Sequence, residues 1–67
     1  MVAVTKYRSR VVRFVATEDG GAVCDDDFGY DASLEVVGDF PSSVERIAYA
    51  EAVAAALNLA KIPVWRT

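Results

Sequence analysis

The chain reads as an α+β fold: a three-stranded antiparallel β-meander followed by one long C-terminal helix (βββα), in a single small domain over residues 1–67. Three observations predict it. Residues 11–17 and 30–36 are β-branched or alternating apolar runs of strand length. Glu18-Asp19-Gly20-Gly21 supplies the positive-φ residues that a tight reversal needs. Residues 44–62 carry apolar side chains at helical spacing almost all the way round the cylinder.

In the first strand Val12, Phe14 and Ala16 share one face and Val11, Arg13 and Val15 the other. No Gly or Pro interrupts residues 2–10, so the run reads as one long twisted strand from about Lys6, a separate N-terminal arm being the alternative. The 18–21 turn leads to a short second strand at 22–24. In the third, Tyr30, Ala32, Leu34 and Val36 alternate with Asp31, Ser33 and Glu35, giving one core face and one wet face. Gly38-Asp39-Phe40-Pro41 ends it. Ser42 with Glu45 three residues on forms a capping box, which starts a helix over about 43–61. Pro63 stops that helix and leaves 63–67 as a short extended tail.

The helix is more apolar than one core requires. Tyr49, Val53, Ala56, Leu57 and Ala60 form one stripe and Val44, Ala48, Ala52, Ala55 and Leu59 a second, with Ile47, Ala50 and Ala54 between them. Glu51 and Asn58 read as the polar strip. A chain of 67 residues holds only about 3–5 kcal/mol in a single core, and with one cysteine and no histidine it has neither an internal disulfide nor the usual zinc ligands. Self-association through the second stripe is the expected staple, with Val44, Ala48, Ala52, Ala55 and Leu59 at a homodimer interface. Trp65 is counted with that interface, the rival explanation being that it covers part of the second face from within the chain.

Charge is segregated along the chain. Residues 1–16 carry four bases and no acid, and residues 17–39 carry eight acids and no base, within a net charge of -3. Antiparallel pairing of these segments sets opposite charges side by side, worth roughly 0.2–1 kcal/mol per pair. The acidic run Asp25-Asp26-Asp27-Phe28-Gly29-Tyr30-Asp31 lacks the glycine and glutamate positions of a calcium loop, so a solvated turn is expected and no metal. Cys24 has no histidine to activate it and three aspartates after it, so it reads as a small packed side chain. Lys6, Arg8 and Arg10 fall on the opposite strand face from Tyr7, which separates the cations from the ring that a nucleic-acid platform would combine with them. No catalytic set, cofactor site or nucleic-acid site is expected.

The run 17–23, followed by Gly38-Asp39-Phe40-Pro41-Ser42-Ser43 and a helix, resembles the hairpin-then-helix layout of HicB-type antitoxins. It departs from that layout by placing a whole strand within 25–37 and by adding no DNA-binding segment. In style the whole chain is similar to the small Ala- and Asp-rich accessory proteins of actinobacterial phages and prophages. Neither likeness carries a functional residue across. The phage likeness implies a phage-encoded accessory protein that binds a host or phage protein; the two apolar stripes and the absent catalytic set make the expected protein non-enzymatic and homo-oligomeric through its helix. The alternative is an antitoxin-like or DNA-mimicking inhibitor using the acidic 18–39 surface. With no charged-then-apolar leader and no membrane-length apolar run, the expected location is cytoplasmic, with no membrane partner.

Overall fold

The computed structural model describes residues 8–26 and 32–66, with the backbone alone at Arg66. The expected strand start at Lys6, the N-terminal arm, residues 27–31 of the acidic turn and Thr67 fall outside the described residues. The order is β1 (Arg8–Val11), β2 (Phe14–Ala16), β3 (Ala22–Asp25), β4 (Ser33–Glu35), α1 (Ser43–Ala60) and β5 (Pro63–Arg66). The class is α+β with antiparallel pairing throughout. β2, β3 and β4 form a three-stranded sheet in that order, and β1 pairs with β5 in a separate ribbon.

Two elements differ from the sequence reading. The long first strand is two strands, broken at Val12 and Arg13, where the chain passes from the ribbon to the sheet. The tail is extended as expected, but it is a strand in register with β1, with Arg10 opposite Val64 and Val11 opposite Pro63. Proline is tolerated there because it opens the strand, where a missing N–H costs no ladder bond. Val64 is buried and joins the core, so the ribbon is pinned to the rest of the molecule. The third strand is shorter than the alternation suggested, and Leu34 on it is half exposed.

The core is small: Phe14, Val23, Val36, Ala50, Ala54 and Val64, with Ile47 half-buried nearby and Val53 and Leu57 packed against it. The helix lies over β2 and β3. Its inward face is therefore the middle group of the sequence reading joined by Val53 and Leu57, while Tyr49, Ala56 and Ala60 face outward. Phe40 braces Tyr49, their ring centroids 5.4 Å apart.

The helix ends are well defined. Ser42 is the N-cap, its hydroxyl accepting from the Val44 N–H at 3.2 Å, and the same hydroxyl donates to the Glu45 carboxylate. At the other end Lys61 takes the left-handed conformation (φ 53°, ψ 47°) and its N–H bonds the Leu57 carbonyl. Glycine is preferred at such a position because it has no Cβ to strain. Lys61→Gly is expected to raise stability by a few tenths to about 1 kcal/mol, read as a shift in urea midpoint.

The 17–22 turn is held by its own side chains. The Asp19 carboxylate accepts from the Gly21 N–H and the Thr17 hydroxyl, both at 2.9 Å, and the Thr17 hydroxyl accepts from the Ala22 N–H at 3.0 Å. Those bonds, the Gly21 N–H first, hold the Asp19 carboxyl below its ordinary value of 3.8. The Ser42 hydroxyl likewise holds Glu45 below 4.5. Both favour the folded state when ionised, so their contribution is complete above those ordinary values and is lost as pH falls through the lowered folded ones. Melting temperature is expected to decline on that acid side, and the decline should flatten in the Asp19→Asn, Glu45→Gln double variant; an unchanged acid limb would show that neither bond matters.

Candidate functional site

Among the described residues the outer face of α1 is an exposed apolar face. Ala48, Ala52 and Ala55 are exposed between Val44, 71% exposed, and Leu59, 85% exposed. All five expected interface residues thus share one exposed face, turned well away from the core-facing Ala50 and Ala54. Trp65 does not cover it. It lies on β5, opposite Ser9 and on the same ribbon face as the exposed Val11, and is itself 63% exposed, while Leu59 keeps almost all of its surface in solvent. Among the described residues eight large apolar side chains are exposed, against a core whose large members are only Phe14, Val23, Val36 and Val64. Full burial of a side chain of this size is worth about 1.5–3 kcal/mol, so covering the most exposed of them, Leu59, Val37 and Val44, would add stabilisation that the chain alone leaves in solvent.

The charges sit at opposite ends of the molecule. The ribbon and the C-terminal end of α1 hold Arg8, Arg10, Arg13 and Lys61, with Asp25 and Asp26 as the nearby carboxylates among the described residues. The N-terminal end of α1, the hairpin turn and the β4–α1 segment carry Glu18, Asp19, Glu35, Asp39 and Glu45, and Arg46 is the cation there among the described residues, beside Asp19. Arg46 donates to the Val36 carbonyl at 3.2 Å and faces Asp19, tying sheet, turn and helix together. An open hollow of about 430 Å³ lies there, lined by Asp19, Gly38, Phe40, Ser42, Ser43 and Arg46.

The acidic segment is partly turned inward. Asp25 is fully buried, its Oδ1 accepting from the Ala32 N–H at 3.1 Å and its Oδ2 4.0 Å from the Arg10 guanidinium, which links the ribbon to the sheet. Asp26 is 3.6 Å from Arg13. These are the basic-against-acidic strand contacts that the segregation implied. Cys24 is buried in β3, and burial pushes its thiol up, with Asp25 and Asp26 adding to the shift, the reverse of what a nucleophile needs. No group of three His, Cys, Asp or Glu side chains among the described residues could hold a metal ion.

Asn58 is the residue that sequence reasoning misplaced. It is half-buried against the sheet edge and not on a polar strip: its Oδ1 accepts from the Phe14 N–H at 2.7 Å and its Nδ2 donates to the Phe14 carbonyl at 2.9 Å. The β2–β3 bonds alternate through Arg13 to Asp26 and Thr17 to Ala22, so the Phe14 groups point off the free edge of β2. The side-chain amide stands in for the missing next strand and blocks that edge. The only local hint was a middling helix former near the end of an Ala-rich helix.

No helix among the described residues is long and apolar enough to cross a membrane. Comparison with family models, curated proteins and solved structures finds no match for this chain or its fold.

Proposed function

We propose that this chain is a small non-enzymatic protein-interaction module, homodimeric through the outer face of its helix, acting as a phage-encoded accessory protein that binds a host or phage protein. The observation that carries the reading is the exposed face of Val44, Ala48, Ala52, Ala55 and Leu59, beside a core that is small among the described residues. A second copy is the most economical cover, because it needs no further gene product and closes as a two-fold dimer. The antitoxin-like or DNA-mimicking reading of the 18–39 surface is weaker: Asp25 is buried, Asp26 pairs with Arg13, and Asp19 is spent on its own turn.

Melting temperature as a function of protein concentration tests the reading, since a dimer that folds by associating melts higher when concentrated. The unmodified chain is expected to show that dependence. Ala55→Glu, a charge at the centre of the face, is expected to abolish it and lower the melting temperature. Val37→Glu, an equal charge at an exposed apolar site off the helix, should preserve it. Concentration-independent melting of the unmodified chain would reject helix-mediated association.

A further inference from the structure

We propose that the two copies pack antiparallel about a two-fold axis, so that Val44 of each lies against Leu59 of the partner subunit and the cationic end of each meets the anionic end of the other. The inference rests on the self-association proposed above and adds its orientation. Val44 lies in the first turn of α1 and Leu59 in the last, about 22 Å apart at 1.5 Å per residue. The step from Val44 to Ala48 equals the step from Ala55 to Leu59. Reversing one helix therefore brings Val44 onto Leu59 and Ala48 onto Ala55 at the same time, with the axis passing beside Ala52. The alanines allow the close end of the usual interaxial range, about 8 Å.

Apolar packing alone permits a parallel pair too, with Val44 on Val44 and Leu59 on Leu59. Charge decides between them. A parallel pair would bring the end bearing Glu18, Asp19, Glu35, Asp39 and Glu45 against its own copy, and the end bearing Arg8 and Lys61, where Arg10 and Arg13 are paired with Asp25 and Asp26, against its own. An antiparallel pair sets each against its opposite, twice over, and places the N-terminus of each helix dipole beside the C-terminus of the other. Glu51 lies beside the axis in either arrangement and does not discriminate.

Disulfide trapping separates the orientations. Val44→Cys, Ala52→Cys and Leu59→Cys chains are made singly with the buried Cys24 left in place, and the unmodified chain gives the background. Two sulfurs bridge only when their Cα atoms come within about 7 Å. Ala52→Cys is expected to form linked dimers on mild oxidation, Val44→Cys and Leu59→Cys to form none alone, and their equimolar mixture to form them readily. Linking by Val44→Cys alone and by Leu59→Cys alone would overturn the antiparallel orientation and leave self-association standing. No linking at any of the three positions would overturn the self-association itself. On the unmodified chain, a tenfold increase in salt should raise the dimer dissociation constant several-fold, because opposite charges abut; a constant or falling value would overturn the charge-paired orientation without touching the dimer.

Discussion

Gly20→Ala is expected to unfold most of the protein. Gly20 sits at φ +72°, where an added Cβ strains the backbone by about 1–2 kcal/mol. A Cβ there would also lie 2.8 Å from the Ile47 nitrogen and 2.9 Å from its Cα, inside the backbone of the helix. Backbone cannot swing aside as a side chain can, and overpacking of this kind adds about 1–3 kcal/mol. The combined loss is comparable with the whole stability of so small a domain, about 3–5 kcal/mol. Gly21 provides the contrast. Its nearest neighbours are the Asp19 carboxylate oxygens at 3.1 and 3.3 Å, which can give. Gly21→Ala should therefore retain a cooperative melt while Gly20→Ala loses most of it by circular dichroism; equal melts for the two variants would show that the turn does not rest on the helix.

Asn58→Ala is the second large effect, expected to cost about 1–3 kcal/mol in urea unfolding, because two backbone groups of Phe14 on a half-buried edge lose their partner together. Asn58→Asp should be as damaging: its carboxylate still accepts from the Phe14 N–H but meets the Phe14 carbonyl with no donor. Amide exchange gives the residue-level check. The Phe14 N–H is expected to exchange much faster in either variant relative to the Val23 N–H in the same sheet. Unaltered protection at Phe14 would mean that water or another group holds that edge.

These two residues mark how far the sequence was legible. Signals local to a few residues were readable: the Ser42 cap, the Pro63 stop, the reversal at Gly20 and Gly21, and the paired basic and acidic strands that appear as Arg10 with Asp25 and Arg13 with Asp26. What local pattern lacks is the partner. Nothing within residues 8–16 distinguishes the half that pairs with residues 63–66 from the half that pairs with β3, so the break at Val12 and Arg13 was invisible. Asn58 looked like solvent-facing polarity because its partner lies 44 residues away. Gly20 was readable as a turn residue but not as the point where turn and helix touch. The residues of the proposed interface were legible as a second apolar stripe, and their exposure on one face follows from the core having chosen Ala50 and Ala54 instead.

The mass of the unmodified chain in solution bears most directly on the proposed interface. Light scattering during size exclusion at tens of micromolar is expected to give a folded species of twice the 7.2 kDa chain mass. A well-folded species at 7.2 kDa, with Val44 and Leu59 left in water, would contradict the interface and with it the function proposed for this protein.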